Sequence, residues 1–401
     1  WYRLSDATVY CSVRKMISHI MNSPDELKAR QAIPAKKRVV VKIGTSSLTY
    51  PNGKPNLRFF DSMARQLMDL QNRGYEMVLV SSGAIAMGMP SLGYTTKPKN
   101  LPEKQACASV GQGTLMHLYE KFFHEYGGIV SQLLLTKGDA LNPKRYLYAR
   151  GCLDALLALG AIPIVNENDA VTADEIKVGD NDTLSAVVAS ICEADLLIIL
   201  SDVNGLYTDN PSANPDAQFI SYVGEFSRKY MDMAGGAGTA RGTGGMQTKM
   251  KAAEICTRSG IDMVIANSSI HDVLFSIMDG EAIGTLFQAD NVHPQMKKRQ
   301  IIIGSAIKGR IYVDKGCRDA IVNNGSSLLP VGILRAEGNF HVGDPVSICY
   351  GDQEIARGIT HYDAEDVNSI RGCQTDDLSE RLGYEKTYDT VVHRNYLLVI
   401  R

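Results

Sequence analysis

Two lysines in this sequence lie beside glycine- and hydroxyl-rich residues, a combination suited to binding phosphate groups. Lys42 is followed by a glycine and three hydroxyl residues at 44–47, and Lys249 follows a glycine-rich stretch at 235–245. Glycines that open a helix present unpaired N–H groups and the positive end of the helix dipole to phosphate. A solvent-reaching lysine and a flexible linker are the plainer interpretations of these stretches. A cation in the first turn of a helix opposes the dipole, however, which favours a functional role for Lys249.

A polar stretch from Asn166 to Asp182 follows an apolar run at 162–165 and is rich in carboxylates. So many acids are costly to hold together unless cations or amide donors face them. A solvated acidic loop is one interpretation. The other, which we favour because the apolar run stops abruptly at polar residues, is a recognition loop at the carboxyl end of a parallel strand. Within it, Asn168-Asp169 and Asn181-Asp182 are candidates for gripping the amino group of a zwitterionic ligand.

Apolar runs that alternate with helical patterns must position these residues. Such runs predict six strands, at 39–41, 77–80, 129–135, 162–165, 196–200 and 261–265. The second run leads into Ser81-Ser82-Gly83 and the fifth into Ser201-Asp202, so both end in small polar residues, as the first run does. This alternation predicts an α/β fold with a mainly parallel open sheet sandwiched by helices. Such sheets bind ligands at the carboxyl ends of their strands.

Composition places the chain among ordinary globular proteins. Its 401 residues are 44% hydrophobic and 21% charged, and they suffice for two or more domains. The formal net charge of -2 gives no polyanion-binding balance, and no apolar run approaches the length needed to cross a membrane. The eight cysteines form no C-x-x-C pair, which predicts reduced thiols in a reducing compartment, the cytoplasm, rather than disulfides or zinc. The eight histidines are equally dispersed, so no metal cluster is predicted.

The chain divides by pattern into three segments. Residues 1–37 carry an excess of basic residues. An organellar signal is one interpretation, but acids interrupt the segment and no cleavage site is evident, so we expect a loosely attached extension with one helix and no assigned role. Residues 38–290 carry the alternating pattern and form the predicted catalytic domain. Short β-like runs separated by glycine turns fill residues 297–401 and predict a small β-rich domain.

Five motifs resemble those of the glutamate 5-kinases, a branch of the amino acid kinase family. They are Val41–Ser46, Ser82–Ile85, Asn166–Val171, Glu175–Asp182 and Gly242–Lys249. The match keeps the family order and extends from Arg38 to the C-terminus, where Gly325–Pro330 and Gly338–Phe340 resemble the PUA domain of these enzymes. Ser81 and Ser201 depart from the pattern, since threonine is common at both positions.

The resemblance implies ATP-dependent phosphorylation of the γ-carboxylate of L-glutamate, the first step of proline biosynthesis. It makes Lys42, Lys249 and Asp182 the catalytic residues, with the two lysines bracketing the transferring phosphoryl group and Asp182 holding both lysines. Glutamate then binds to three side chains, those of Ser82, Asp169 and Asn181. The residues implied for the nucleotide site are Lys42, Ser201, Asp202, Thr243, Gly244, Gly245, Met246, Gln247, Thr248 and Lys249.

The family resemblance also implies what accompanies the protein. Mg²⁺ enters with ATP, held mostly by phosphates and water, so no residue is assigned as a metal ligand. Feedback inhibition by proline and a homo-oligomer, a tetramer or a dimer, are implied as well.

Two other functions stay open at this point. Another small-acid or nucleotide kinase can reuse the same phosphate loops, because a fold alone does not fix the substrate. The acids around Asp169 favour a substrate with an ammonium group. A protein that binds RNA through its PUA-like domain belongs to a different class. The net charge and the acids at 363–366 and 376–377 argue against an exposed phosphate-binding face there.

Overall fold

The structure is a computed structural model that divides into two units. It describes residues 23–50, 52–136, 138–139, 142–171, 181–211, 213–234, 245–290, 306–386 and 388–400. The first unit comprises residues 1–140 and 149–291, and the second comprises residues 141–148 and 292–401. The domain bounds inferred from the sequence, 38–290 and 297–401, stay predictions, since the stretch that separates them lies outside the described residues.

The elements of the first unit alternate between strands and helices, as the apolar runs predict. In chain order they are α1 Pro24–Gln31, β1 Arg38–Ile43, α2 Thr45–Leu48, α3 Leu57–Asn72, β2 Glu76–Ser81, α4 Ala84–Gly88, α5 Leu101–Glu125, β3 Ile129–Leu135, α6 Pro143–Ala158, β4 Ala161–Glu167, α7 Asn181–Ile191, β5 Leu196–Ser201, β6 Leu206–Tyr207, β7 Phe219–Ile220, β8 Tyr222–Val223, α8 Arg228–Met233, α9 Met246–Arg258, β9 Asp262–Asn267, α10 Val273–Met278 and β10 Thr285–Phe287. Helix α6 starts within the second unit and continues into the first.

An eight-stranded sheet forms the centre of this unit, with the strand order β3-β4-β2-β1-β5-β9-β10-β8. Its pairs are parallel except for β10, which runs antiparallel to β9. The six strands predicted from the sequence all lie in this sheet, so the prediction of a mainly parallel open sheet is confirmed. Strands β1, β2 and β5 are almost wholly buried, because helices cover both faces of a sheet of this kind.

Amphipathic helices cover the sheet in the way their sequences predict. Helix α3 begins where the Asn56 side chain accepts a hydrogen bond from the Phe59 backbone amide, and its buried stripe includes Phe60 and Leu67. Helix α9 buries Met250 and Cys256 on one stripe. That stripe packs into the core and leaves the first turn of α9 at the carboxyl edge of the sheet.

Helices α4 and α5 approach each other backbone to backbone through two glycines. A Cβ atom added at Gly111 would lie 1.8 Å from the Ala84 carbonyl oxygen, and one added at Gly88 would lie 1.9 Å from the Cys107 carbonyl oxygen. Contacts this short exclude any side chain at either position. The two glycines therefore allow α5 to pack closely against α4, the short helix that follows the Ser81-Ser82-Gly83 loop.

The segment before β1 is part of the first unit from Ser23 onward. Arg30 on α1 is completely buried, pairs with Glu26, and donates hydrogen bonds to the backbone carbonyls of Ser221, Ile283 and Gly284, among others. A buried guanidinium with this many partners fixes the helix in place. The expectation of a loosely attached extension is wrong for residues 23–37. The Arg30 side chain donates hydrogen bonds that attach this segment to the first unit, and the composition of the segment does not reveal them. Residues 1–22 lie outside the described residues.

The second unit contains a separate five-stranded sheet with its own core. Its strands are β11 Gly309–Val313, β12 Ile333–Gly338, β13 Pro345–Tyr350, β14 Gln353–Ile359 and β15 Leu397–Val399, and its helices are α11 Lys315–Asn324, α12 Ala364–Ile370 and α13 Leu378–Leu382. The sheet order is β12-β11-β13-β14-β15. Ile311, Phe340 and Ile348 are among the buried residues of its hydrophobic cluster. The prediction of a small β-rich C-terminal domain is confirmed.

Two further expectations concern membranes and cysteines. Within the described part of the chain, no helix combines the length and the apolar character needed to cross a membrane. The seven cysteines among the described residues are all free thiols.

Candidate active site

A buried aspartate joins the two lysines that the sequence singles out. Asp182, the second residue of α7, is 1% exposed. Its Oδ1 lies 2.6 Å from the Lys42 Nζ and its Oδ2 lies 3.2 Å from the Lys249 Nζ. The Thr248 hydroxyl donates a further hydrogen bond to Oδ2, at 2.7 Å. The structure thus brings together all three residues predicted as catalytic.

Burial and charge act in opposite directions on Asp182. Burial of the carboxyl group raises its pKa, but the ammonium groups of Lys42 and Lys249 and the Thr248 hydroxyl outweigh that effect and hold the pKa below its ordinary value. Asp182 is therefore ionised at neutral pH. One anion between two cations leaves the cluster with a net positive charge, which attracts a further anion.

The local sequence explains why the lysines reach this point. Lys42 is near the carboxyl end of β1, and a Cβ added at Gly44 would lie 3.7 Å from its Nζ, so the backbone passes close to the ammonium group. Lys249 lies in the first turn of α9, which starts after Gly245 without a side-chain cap. The Lys249 side chain pairs with Asp182, which offsets its unfavourable place at the positive end of the helix.

Ser82 and Asn181, both predicted to bind substrate, are in direct contact. The Asn181 side-chain amide donates to the Ser82 hydroxyl at 2.8 Å and to the Ser81 carbonyl at 2.9 Å. It also lies 3.1 Å from the Asn166 Oδ1. Because Asn181 and Asp182 are neighbours at the start of α7, this polar cluster adjoins the two lysines.

Asp169 lies on a cavity of about 290 Å³ that also borders Gln112 and Glu167. Burial and the neighbouring Glu167 raise the pKa of Asp169 to about 6, against a smaller opposing effect of Lys97. No hydrogen bond between Asp169 and Asn181 occurs among the described residues. The three predicted substrate-binding residues therefore divide into the Ser82–Asn181 contact and the cavity that holds Asp169.

Sequence reasoning did not single out Asn166 or Gln112 as site residues. Asn166 is 1% exposed and donates to the Gln112 Oε1 at 2.9 Å. Asn166 opens the polar stretch after β4, so its position was a usable signal. Gln112 lies in the middle of α5, and nothing in the sequence sets it apart from the other polar residues of that helix.

Several residues predicted for the nucleotide site are among the described residues, and these lie at the same edge of the sheet. Ser201 ends β5, next to β1, and its hydroxyl donates to the Asp202 carboxylate at 3.1 Å. Gly245 and the first turn of α9, Met246 to Lys249, supply backbone amides that no side chain caps. Thr243, Gly244 and the motif residues 175–180 lie outside the described residues. Among those described, no group of three or more His, Cys, Asp or Glu side chains is placed to hold a metal ion.

Comparison with sequence profiles of known protein families identifies the family of this chain. The profile described as "Amino acid kinase family" matches residues 37–267, which is more than half of the chain. The chain belongs to the amino acid kinase family. A second profile, described as "PUA domain", matches residues 309–382, in agreement with the family resemblance of the C-terminal motifs.

Relatives within the amino acid kinase family cover almost the whole chain. The glutamate 5-kinase of Thermoanaerobacter sp. (strain X514) is 50% identical over 364 residues, which are 90% of this chain and 98% of the relative. The glutamate 5-kinase of Caldanaerobacter subterraneus subsp. tengcongensis is 51% identical over the same shares of both chains. That of Carboxydothermus hydrogenoformans is 48% identical over 92% of this chain and 100% of its own.

Proposed function

We propose that this chain catalyses the ATP-dependent phosphorylation of the γ-carboxylate of L-glutamate to γ-glutamyl phosphate, the first step of proline biosynthesis. The observation that carries the proposal is the buried cluster of Lys42, Asp182 and Lys249. It occurs in a chain that is about half identical to glutamate 5-kinases along nine-tenths of its length. The neighbouring Ser82–Asn181 contact supplies polar groups for an acceptor substrate.

The chemistry of the acceptor explains why such a site needs no general base. A carboxylate is ionised at neutral pH. One of its oxygens forms the new bond to the γ-phosphorus while the bond from that phosphorus to the bridging oxygen breaks, and no proton is transferred. The protein then needs only to align the reactants and to neutralise the charge that shifts onto the phosphoryl and leaving oxygens.

Lys42 and Lys249 provide that neutralisation. Their ammonium groups contact different oxygens of one carboxylate, so Asp182 holds two like charges close together before any substrate arrives. Ammonium groups held in a buried site are worth more than the same groups in water, and they need no reorganisation as the reaction proceeds. Asp182 acts as their positioning residue in this scheme.

The nucleotide binds at the start of α9 and at the end of β5. The uncapped amides that follow Gly245 suit phosphate oxygens, and Ser201 and Asp202 lie across the same edge of the sheet. Thr243 and Gly244 extend the α9 group in this proposal. Mg²⁺ enters with ATP and is held mainly by phosphate oxygens and water.

Three further properties accompany the proposal. Feedback inhibition by proline and assembly into a homo-oligomer, a tetramer or a dimer, are proposed from the family resemblance. The cytoplasm is the proposed compartment, supported by the free thiols among the described cysteines.

A substrate panel tests the proposal. Purified protein is supplied with ATP, Mg²⁺ and either L-glutamate, L-aspartate, N-acetyl-L-glutamate or UMP, and ADP release is measured. L-Glutamate should be turned over much faster than N-acetylglutamate, because loss of the ammonium group leaves buried polar groups unpaired at about 1–3 kcal/mol each. Equal turnover of both acids would refute the substrate assignment. Preferential turnover of UMP would identify a nucleotide kinase of the same fold.

A further inference from the structure

A chain of side-chain amides connects the Ser82 loop with the middle of α5. The Asn181 amide nitrogen contacts the Ser82 hydroxyl and the Asn166 Oδ1, at 2.8 and 3.1 Å. The Asn166 amide nitrogen in turn donates to the Gln112 Oε1, at 2.9 Å. The chain begins beside the Lys42–Asp182–Lys249 cluster and ends at the wall of the 290 Å³ cavity.

The backbone fixes which way these amides face. The Glu167 backbone N–H donates to the Asn166 Oδ1 at 2.8 Å, so the other end of the Asn166 side chain, its NH₂ group, faces Gln112. Gln112 must therefore offer its oxygen to Asn166, which leaves its Nε2 as the group available to a ligand. That nitrogen is buried and has no hydrogen-bond partner among the described residues. Buried amide donors in native proteins are nearly always paired, so the unpaired one needs a partner.

The cavity wall carries groups that match one particular kind of molecule. Gln112 contributes an unpaired donor, and Glu167 and Asp169 contribute carboxylates. The head group of an α-amino acid carries an ammonium, which only donates, and a carboxylate, which only accepts, on the same carbon. Two carboxylates in the wall repel a ligand carboxylate unless a donor meets it, and the Gln112 amide is a buried donor in that wall with no hydrogen-bond partner among the described residues.

We propose that Gln112 binds the α-carboxylate of the amino acid substrate and so determines specificity for α-amino acids. The inference rests on the proposed function, and it adds a specificity-determining residue to that same site. The side chain is held ready for this role because Asn166 fixes its oxygen and because the glycine contact at Gly111 leaves α5 no room to shift. A donor that is already oriented loses little entropy on binding.

Two analogues test the α-carboxylate and the ammonium group of the substrate one at a time. One substitution removes the donor of Gln112 while it keeps the contact with Asn166. 4-Aminobutyrate lacks the α-carboxylate of glutamate, and glutarate lacks its ammonium group. The full-length Gln112→Glu protein keeps an oxygen for the Asn166 amide but replaces the donor by a second acceptor. Both analogues are measured as competitive inhibitors against L-glutamate, alongside the KM and kcat of L-glutamate, in the wild type and the variant.

Gln112→Glu should raise the KM of L-glutamate about tenfold or more, the effect of one lost hydrogen bond to a charged group, and should change kcat less. The inhibition constant of glutarate should rise in parallel, while that of 4-aminobutyrate should stay constant or fall. If 4-aminobutyrate is too weak to inhibit even the wild type, the parallel rise for L-glutamate and glutarate decides. Thermal unfolding of the variant verifies that it is folded.

Three results would overturn the role of Gln112. They are an unchanged KM for L-glutamate, a rise in KM without a rise in the inhibition constant of glutarate, and an equal weakening of 4-aminobutyrate. A wild-type protein that releases no ADP with glutamate would instead refute the proposed function, so the two failures are distinguishable.

Discussion

Asp182 is the residue on which the electrostatics of the site depend. It is a buried carboxylate in contact with two ammonium groups, and removal of one partner of a buried ion pair leaves the other uncompensated. Substitution of Asp182 itself would leave two buried cations facing each other. The lysines are therefore better targets than Asp182 for a test of catalysis, because their removal still leaves Asp182 with a cation and the Thr248 hydroxyl.

Lys42→Ala and Lys249→Ala should each lower kcat by about 100-fold or more, the effect of one lost electrostatic donor to the transition state. The KM values should change less, since such contacts strengthen as charge shifts during the reaction. The matched control is Lys251→Ala, two residues further along α9 at an exposed position, which should keep kcat near the wild-type value. Steady-state kinetics on folded variants measure the effect. Normal turnover in Lys249→Ala would remove the first turn of α9 from the active site.

The raised pKa of Asp169 predicts a pH dependence of glutamate affinity. With a pKa of about 6, Asp169 is ionised at pH 7.5 and increasingly neutral below pH 6, whereas the γ-carboxyl of free glutamate titrates only near pH 4. If the ionised form binds the substrate ammonium, the KM of L-glutamate should be constant above pH 7 and should be about tenfold higher at pH 5 than at pH 7, as for a single ionisation with this pKa. Initial rates from pH 5 to 8 measure this.

The Asp169→Asn variant is the control for that profile. Its KM should be high and nearly independent of pH over the same range, because the titrating group is gone. A wild-type KM that stays flat down to pH 5 would show that the ionisation of Asp169 does not govern glutamate binding.

Single residues could be predicted from the sequence where the local pattern broke a rule. Lys249 stood out because a cation in the first turn of a helix has an electrostatic cost, and Lys42 stood out because the glycine and hydroxyl residues at 44–47 follow it. Gln112 breaks no rule, since a glutamine on a helix is ordinary. Only its distance to Asn166, which is 54 residues away in the sequence, gives it meaning. Side-chain pairing across a fold is a property of tertiary structure, and no periodicity encodes it.

At the scale of elements, the packing of α4 on α5 determines the distance between the Ser81-Ser82-Gly83 loop and Gln112. Gly111→Ala would place a Cβ at 1.8 Å from the Ala84 carbonyl oxygen, so the helices must separate. Overpacking of this kind costs about 1–3 kcal/mol, and the midpoint of thermal unfolding should fall. The KM of L-glutamate should rise as well, because Gln112 moves with α5.

Gly113→Ala on the same helix is the matched control for stability. A Cβ at Gly113 meets nothing within 4 Å, and replacing glycine by alanine inside a helix favours the folded state by about 0.5–1 kcal/mol. The two substitutions should therefore shift the midpoint in opposite directions. A stable Gly111→Ala protein would show that the backbone contact is not required.

Elements could be predicted where they are long and strongly apolar. Five of the six predicted strands are runs of mainly buried residues, such as those of β1 and β5, and their pattern indicates a sheet covered on both faces. The sixth, β3, is only partly buried. Strands β8 and β10 escaped prediction because they are two and three residues long. The antiparallel direction of β10 follows from its pairing with β9, which no local pattern reveals.

For the whole molecule, the structure predicts that the first unit carries the chemistry. All described residues of the candidate site lie in it, and its hydrophobic core is distinct from that of the second unit. A chain that ends at Asp290 should keep glutamate-dependent ADP release, with altered regulation or assembly. An end at Phe287 would be too early, because the amides of Gln288, Ala289 and Asp290 bond to strands and helices of the first unit.

The comparison is between full-length and truncated proteins, each examined by circular dichroism before kinetics. Leu147 packs on Ile359 and Leu398 in the full chain, so the truncated protein should be less soluble, and Leu147→Ser should improve its solubility. A truncated protein that folds but releases no ADP would show that the second unit completes the active site.

The sequence shows only part of the division into units. A change of character at residue 297 was visible in the sequence, since helical and apolar patterns give way there to short β-like runs. The assignment of residues 141–148 to the second unit was not, because the helical pattern of α6 continues without interruption through Tyr148 and Ala149. The sequence pattern reports the helix, while membership of a unit depends on what its side chains contact.

That assignment limits how the second unit can be transferred to another protein by gene fusion. The second unit is encoded in two separate places, residues 141–148 and residues 292–401. A gene fusion that moves only the C-terminal portion leaves behind the stretch that carries Leu147, which covers Ile359 and Leu398. The C-terminal region is thus not an independently transferable domain. A protein that receives it by fusion would have to supply an apolar side chain in place of Leu147 or expose a hydrophobic surface.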